Sequence, residues 1–140
     1  MDLKTKLEAI AAAQNPPWNV VYARKDYQNL IDSTDFVADT VKGFGVDETI
    51  MFIDPIKRKN RKSNIDYAGY FMVLTRSNHD ESYDERFAKH IEPLINLIHT
   101  TIFNSLNCEF DVLQLETTEV INVFDWNADG LLVNYNLKGY

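Results

Sequence analysis

The chain has 140 residues, of which 45% are hydrophobic and 25% charged, and its formal net charge is −7. This length suits one domain with one core, and the composition, with Cys108 as the single cysteine, excludes a disordered tail and a disulfide scaffold. The acidic balance argues against indiscriminate binding to nucleic acid, and no run approaches the ~20 apolar residues of a membrane helix. We therefore expect a single domain over residues 1–140 that stays in the compartment where it is made.

The first third of the chain is predicted to hold a helix and then a strand. Residues 2–14 are strong helix formers with Leu3, Leu7 and Ile10 on one face, and the proline pair at 16–17 ends the helix. Residues 18–23 favour a short strand, because β-branched and aromatic side chains dominate there. Residues 24–48 mix a possible short helix around 27–31 with a loop-like glycine-containing stretch.

The middle of the chain is predicted to form a β-hairpin and then the principal helix. Residues 49–56 and 67–75 have strand composition and are separated by a basic segment, which we expect at the tip of a long protruding hairpin. Ser82 and Glu85 fit a capping box, after which apolar residues recur every three or four positions as far as Leu106. Pro93 interrupts this pattern, and we expect either a kink or a new start with Pro93 in a first turn.

The last third of the chain is predicted to be strands. Residues 110–115 and 120–124 have β patterning, and residues 131–138 alternate between apolar and polar so regularly that one face should be solvent-exposed. The order of elements predicts an α+β fold. Its antiparallel or mixed sheet of about five strands should pack against the long helix and the N-terminal helix.

The segment DWNADG at 125–130 is the first candidate for chemistry. Asp125, Asn127, Asp129 and Gly130 match the first half of a calcium loop, in which alternate oxygen ligands surround the ion. Asn136 occupies the position of the closing glutamate, and the flanking residues have strand periodicity. We therefore interpret the four residues as a structural turn between the last two strands, with weak calcium binding as the alternative.

The remaining polar residues supply no catalytic, cofactor-binding or metal-binding candidate. His90 and His99 are nine positions apart, so on one straight helix they point to opposite sides, and we expect both at the surface or its boundary. The carboxylates around Asp84 and Glu85 suit a helix N-terminus. No phosphate loop, nucleophile elbow or zinc motif appears, and we expect a protein that is not an enzyme and has no cofactor.

The basic segment KRKNRK at 57–62 is the most distinctive candidate interaction site. It holds five of the fourteen cations, whereas the residues after it hold twelve acids and four bases. Its charged members are Lys57, Arg58, Lys59, Arg61 and Lys62. On a hairpin tip they could be solvated charges that protect strand edges from aggregation, or an arm that reaches nucleic acid or an acidic neighbouring subunit.

Four segments carry a resemblance to a known class of protein: MFIDPIKR at 51–58, ESY at 81–83, HIEPLI at 90–95 and EVINVFDWNADGL at 119–131. They resemble small structural proteins of tailed phages and prophages of gut Bacteroidetes. In size and element order the chain is also similar to the tail-terminator and neck proteins that join phage heads to tails.

The resemblance implies a virion structural subunit that is made in the host cytoplasm and forms a homo-oligomeric ring at the head-tail junction. By analogy the ring is a hexamer that contacts tail-tube and connector proteins, and it performs no catalysis. The alternative function is that of a nucleic-acid-binding accessory protein, which would contact DNA through the basic tip at 57–62.

Overall fold

The chain folds into one mixed β-sheet with its helices packed on one face, and the predicted α+β class is confirmed. The computed structural model describes residues 2–22, 43–45, 47–76, 81–121 and 128–139. The first half contains helix α1 (Leu3–Ala12) and strands β1 (Asn19–Tyr22), β2 (Thr49–Ile53), β3 (Lys57–Asn60) and β4 (Ile65–Arg76). A long helix and strands β5 (Phe110–Ile121) and β6 (Ala128–Gly139) follow. The possible short helix around 27–31 lies outside the described residues.

The six strands form a sheet that is stepped at one side. The main path runs β1-β2-β4-β6-β5, and β3 pairs with β4 at the end of the sheet that β2 does not reach. β1 is parallel to β2, and the other described pairs are antiparallel. One edge of the sheet is therefore formed by β1 and β3, and the opposite edge is formed by β5.

The predicted hairpin is present, but the basic segment is not its loop. Lys57–Asn60 is itself a strand, which pairs with residues 65–68 of β4, so that the turn occupies residues 61–64. On its other side β4 pairs with β6 from Asp66 to Arg76. Because β4 is held between neighbours over nearly its whole length, the hairpin is an integral part of the sheet and does not protrude as expected.

The main core lies between the sheet and the helices. Alternate residues of the central strands point to this face, among them Met51, Phe71 and Val133, and all three are fully buried. From α1, Leu3 and Leu7 are also fully buried, as their predicted spacing requires. Complete burial of each such side chain contributes about 1.5–3 kcal/mol, from which the entropy of ordering it is subtracted.

The long helix begins where predicted and changes its hydrogen-bonding pattern along its length. The Ser82 hydroxyl accepts a hydrogen bond from the Glu85 N–H at 3.3 Å, which caps the first turn. The successive segments are α2 (Tyr83–Arg86), a π-helical turn (Phe87–Ile91), α3 (Glu92–Leu97), a second π-helical turn (Ile98–Ile102) and α4 (Phe103–Asn107).

Pro93 lies in the first turn of α3, directly after the first π-helical turn. A first turn tolerates the missing proline N–H. Ile91 and Glu92 keep helical backbone angles, so the long helix is continuous across the π-helical turn before Pro93. Within the part of the chain that the structure describes, none of the helices combines the length and apolar character that a membrane crossing requires.

Two of the predicted C-terminal strands merge into one. The sequence predicts separate strands at 110–115 and 120–124, but a single strand, β5, runs from Phe110 to Ile121 with a bulge between Val112 and Gln114. Residues 122–124 lie outside the described residues. β6 has the predicted alternation, with Leu131, Val133, Tyr135 and Leu137 buried on the helix-covered face.

The opposite face of the sheet is divided in two. At one end a second apolar cluster contains Ile50, Phe52, Leu74, Val120 and Ala128. At the other end, beside the turn at 61–64, the same face is polar and includes exposed residues of β3, β5 and β6. This polar half is the part of the sheet on which the candidate site lies.

Gly130 lies where β6 passes very close to β4. A Cβ atom at this position would come 1.7 Å from the carbonyl oxygen of Val73 and 2.8 Å from its carbonyl carbon. These are backbone atoms of a paired strand, and they cannot rotate away as a side chain could. Close packing therefore requires glycine here.

We predict that Gly130→Ala lowers the free energy of unfolding by about 1–3 kcal/mol or more, the usual cost of overpacking a core. The measurement is urea unfolding followed by circular dichroism. Gly45→Ala is the matched control, because its new Cβ would make only an ordinary contact, 3.7 Å from the Glu48 side chain. Equal stability of the Gly130→Ala variant and the wild type would contradict the close approach of β6 to β4.

Candidate functional site

The basic segment forms an exposed edge strand and the turn after it. Lys57, Arg58 and Lys59 belong to β3, whereas Arg61 and Lys62 lie in the turn, and all five are exposed. Arg58 is paired with Tyr67 of β4, so it points to the helix-covered face. Lys57 and Lys59 therefore point to the polar face, since side chains alternate along a strand.

Two of the five cations are engaged in ion pairs. The Arg58 Nε and Nη2 atoms donate to the two carboxylate oxygens of Asp2, at 3.0 and 2.7 Å. The Arg61 Nε donates to Asp66 at 2.6 Å. The three lysines of the segment, Lys57, Lys59 and Lys62, form no ion pair with any residue that the structure describes. The predicted five-cation site is therefore reduced to three lysines with free charge.

The ion pair between Arg58 and Asp2 ties β3 to the start of α1. Asp2 is also the N-cap residue of α1, and its carboxylate accepts a hydrogen bond from the Lys4 N–H at 3.0 Å. The hydrogen bonds from Arg58 lower the pKa of Asp2 from 3.8 to about 2, and the same contact raises the pKa of Arg58. The Arg58 guanidinium also lies 5.9 Å from the centre of the Tyr67 ring. Arg58 therefore acts mainly within its own subunit.

A cleft of about 450 Å³ lies beside the turn at 61–64 and is lined in part by Asn60, Arg61, Tyr67 and Phe110. Its charged lining residues already have partners: Arg61 binds Asp66, and Glu109 accepts from Lys6 at 3.3 Å. The cleft therefore offers no unpaired charge to a ligand from among its described lining residues.

The polar face carries an ordered row of charges across four strands. In cross-strand register, β3, β4, β6 and β5 contribute Lys59, Asp66, Lys138 and Asp111 respectively. Neighbouring strands are about 4.8 Å apart, so consecutive members of the row are adjacent. The sign of the charge alternates along the row, which begins with a cation at the β3 edge and ends with an anion at the β5 edge.

The β5 edge is long, acidic and exposed. β6 is the only partner of β5 among the described strands, so no described strand lies on the outer side of its twelve residues. The Val112 N–H of β5 donates to the Asn107 Oδ1 at 3.5 Å. Asp111 and Glu116 point to the polar face, both are exposed, and neither forms an ion pair within the described ranges. Leu113, at the bulge, is apolar and 58% exposed. This combination marks the edge as a candidate contact surface.

The end of the sheet farthest from the turn contains buried polar residues that sequence reasoning missed. Arg86 and Asp129 are 6% and 1% exposed, and the Arg86 Nη1 lies 3.9 Å from the Asp129 Oδ1. His90 is 8% exposed, and its Nε2 lies 3.9 Å from Asp47 Oδ1. The sequence predicts both histidines at the surface or its boundary; His99 is exposed, whereas His90 is buried.

The sequence did contain a signal for this burial. Steps of four residues from Leu106 back along the long helix reach Ile102, Ile98 and Leu94, all of them buried. Two more steps reach His90 and Arg86. Because the helix contains two π-helical turns, a four-residue spacing stays on the buried face farther than in a regular α-helix.

The last part of the predicted turn at 125–130 belongs to a strand. Asp125 and Asn127 lie outside the described residues, but Asp129 and Gly130 belong to β6 and pair with Thr75 and Leu74 of β4. The buried Asp129 carboxylate forms an ion pair with Arg86, and this ion pair competes with coordination of calcium by Asp129. Among the described residues, no three His, Cys, Asp or Glu side chains are grouped closely enough to hold a metal ion.

Comparison with known proteins gives no relative from which a function could be transferred. No family model matches the chain, and neither a curated protein nor a solved structure matches it. The function is therefore inferred from the geometry described above and from the resemblance of the sequence to phage structural proteins.

We predict that Arg58→Gln raises the pKa of Asp2 from about 2 towards its ordinary value of 3.8. A carboxyl group whose pKa is lowered by folding stabilises the fold above its unfolded pKa, and this contribution is lost as the pH falls through the folded value. The variant should therefore be less stable than the wild type at neutral pH and equally stable below about pH 2. Both side chains are partly exposed, so the difference should stay below about 1 kcal/mol.

The measurement is an NMR titration of the Asp2 carboxyl, combined with urea unfolding at several pH values. Lys59→Gln serves as the control, because it removes a charge from the neighbouring position on the other face and should leave the pKa of Asp2 unchanged. If Asp2 titrated identically in the wild type and in Arg58→Gln, the proposed tie between β3 and α1 would be wrong.

A second prediction concerns the buried pair of Arg86 and Asp129. Arg86→Met should lower the free energy of unfolding by about 3 kcal/mol, the usual cost of removing one member of a buried ion pair. Asp129→Asn added to Arg86→Met should recover part of the loss, since it removes the remaining charge. Lys62→Met, at an exposed unpaired cation, is the control and should change stability by less than about 0.5 kcal/mol. An Arg86→Met variant as stable as this control would refute the prediction.

Proposed function

We propose that the chain is a virion structural subunit of a tailed phage, a tail terminator or related neck protein that assembles into a ring at the head-tail junction. The observation that carries this proposal is the long β5 edge, on whose outer side no described strand lies. The resemblance of residues 51–58, 81–83, 90–95 and 119–131 to phage structural proteins supports it independently.

An edge strand of twelve residues is unusually long for a protein that acts as a monomer. Its unpaired backbone N–H and C=O groups can accept another strand, and proteins commonly shorten, cover or charge such edges to prevent it. β5 has a bulge and several charges, yet it also exposes Leu113 at the bulge. A strand of a neighbouring chain added at this edge would pair the free backbone groups and would bury the leucine side chain.

The sheet has a second exposed edge at β3, on the opposite side of the subunit. A subunit with two different contact edges can hold one neighbour on each side, which is what a ring requires. The proposed partners, tail-tube and connector proteins, and the proposed hexameric stoichiometry come from the resemblance. In this role the protein acts through assembly and not through catalysis.

The alternative function, nucleic-acid binding through the basic segment, is favoured by the free charges of Lys57, Lys59 and Lys62. Three phosphate contacts would give a salt dependence with a slope of about −2.7, since each neutralised phosphate of duplex DNA contributes about −0.9. Such binding is weak in comparison with proteins that make many phosphate contacts. We therefore rank it second.

Fluorescence anisotropy with labelled DNA tests the nucleic-acid-binding alternative, and a variant with all three lysines changed to glutamine should lose the binding.

We predict that the purified wild-type chain forms a discrete oligomer with a ring shape in negative-stain images and a mass that is a fixed multiple of the monomer in light scattering. Leu113→Glu should weaken this assembly without unfolding the subunit, because the side chain is exposed in the monomer. Thr101→Glu, at an exposed position of the long helix, should leave the ring intact. A wild-type chain that stays monomeric at every concentration up to its solubility limit would contradict the proposal.

A further inference from the structure

We propose that a cleft between the long helix and the β1 side of the sheet binds a small organic ammonium, a primary amine attached to a flat apolar body. The cleft combines a buried histidine nitrogen that lacks a hydrogen-bond partner, an excess of negative charge and an apolar wall. The inference does not rest on the proposed ring-forming function, since the cleft lies on the side of the sheet opposite the β5 edge.

The cleft consists of two adjoining cavities. One has a volume of about 330 Å³ and lies against the long helix, and the other, of about 480 Å³, lies beside the turn between α1 and β1. They adjoin because they share the lining residues Trp18, Asp47, Thr49 and Leu97. Volumes of this size are at the lower end of the range for small-molecule sites, so the cleft suits a ligand of about one ring.

A buried histidine is the polar centre of the cleft. His90 lines the cavity against the long helix, and its Nε2 has no hydrogen-bond partner in the described part of the chain. The Asp47 Oδ1 lies 3.9 Å from this nitrogen, which is beyond hydrogen-bond distance. A buried nitrogen without a partner destabilises the protein, and a ligand that donates a hydrogen bond to it removes this penalty.

The acceptors of the cleft match the three N–H groups of a primary ammonium. With its proton on Nδ1, the His90 imidazole accepts at Nε2. The Asp47 carboxylate is a second acceptor, and the hydroxyl pair of Thr49 and Thr75, joined at 2.9 Å, supplies a third. A ligand nitrogen between His90 and Asp47 can reach both at about 2.9 Å, because the 3.9 Å between the two acceptor atoms is less than twice that distance.

The charge of the cleft is negative. Among the described lining residues of the two cavities, Lys89 is the only lysine or arginine, whereas Asp47 and Glu48 are acidic. The Lys89 Nζ lies 3.3 Å from Asp47 and 3.3 Å from Glu81, so one ammonium is shared between two carboxylates. One negative charge of this group is left uncompensated, and Glu48 adds another. A cationic ligand is therefore favoured over a neutral or an anionic one.

The rest of the described lining is mainly apolar and suits a flat ring. Trp18, Pro93, Leu94 and Leu97 form this part of the cleft. Trp18 packs against the main core, and its backbone N–H donates to the Ala11 carbonyl oxygen at 3.0 Å, so its indole is a fixed wall. An aromatic ring packs well against an indole, and a cation near the indole face is also attracted to it. The wall therefore favours an aromatic amine over a flexible aliphatic one.

NMR titration of the purified chain with four probes tests the class of ligand. Benzylamine carries an ammonium on a flat ring, benzyl alcohol has nearly the same shape without the charge, and benzoate reverses the charge. Butylamine keeps the ammonium on a flexible chain, as in a lysine side chain. Benzylamine should bind at least about tenfold more tightly than each of the other three, equivalent to about 1.4 kcal/mol. Equal or tighter binding of benzyl alcohol or benzoate would overturn the proposal, and equal binding of butylamine would overturn it in favour of a protein lysine.

The same titration locates the site. Benzylamine should shift the side-chain signals of His90 and Trp18, and binding that leaves both signals unchanged would overturn the proposed place. Asp47→Asn should raise the dissociation constant about tenfold or more. This substitution suits the backbone, because Asp47 has a φ of 69° and asparagine tolerates that left-handed conformation. Asp84→Asn is the matched control and should bind as the wild type does, since it removes an exposed carboxylate outside the described lining of the cleft.

Two further variants separate a lost contact from a misfolded protein. Lys89→Met removes the resident cation that competes for Asp47, so it should tighten binding about threefold, a gain that misfolding cannot produce. His90→Leu removes the nitrogen that lacks a partner, so it should keep the stability of the fold and lose the binding. A folded His90→Leu variant that binds benzylamine as tightly as the wild type, or a Lys89→Met variant that binds it no more tightly, would overturn the proposal.

Discussion

The long antiparallel pairing of β4 with β6 is the interaction on which the rest of the structure depends. It runs from Asp66 to Arg76 of β4 and brings the two backbones so close that position 130 must be glycine. β2 and β3 are both held by the other side of β4, and β5 is held by β6. This pairing therefore determines which side chains face the helices, which face solvent, and where the two edges of the sheet lie.

Much of the fold could be predicted because its elements have clear periodicity. The capping box at Ser82, the apolar stripe of the long helix and the alternation in β6 each identify an element from local sequence. β3 could not be found this way, since Lys and Arg have little preference for strands, and tertiary contacts decide the outcome: pairing with β4 and the ion pair between Arg58 and Asp2. Asp129 was assigned to a turn because its neighbours have turn chemistry, but the buried Arg86 lies within ion-pair distance of it.

The candidate site was visible in the sequence only as an uneven distribution of charge. The composition of the chain indicates a basic segment in an otherwise acidic protein. It does not indicate which acidic residues lie on the same face of the sheet as which lysines. That depends on cross-strand register, and the register depends on the break between β2 and β3 and on the bulge at residue 113 of β5. Once the strands are aligned, two of the basic residues prove to be paired within the subunit, and the free lysines lie across the sheet from the free carboxylates. The proposed function follows from this arrangement of edges more than from any single residue.

Amide hydrogen exchange in β5, compared between the dilute and the assembled protein, is the most direct measurement of the central claim that the chain assembles through this edge strand. Backbone N–H groups on the outer side of an edge strand exchange with solvent until another chain covers them. The account predicts slower exchange of β5 amides in the assembled protein and unchanged exchange in the central strand β4. Assembled protein in which the β5 amides exchange as fast as in the dilute protein would contradict it.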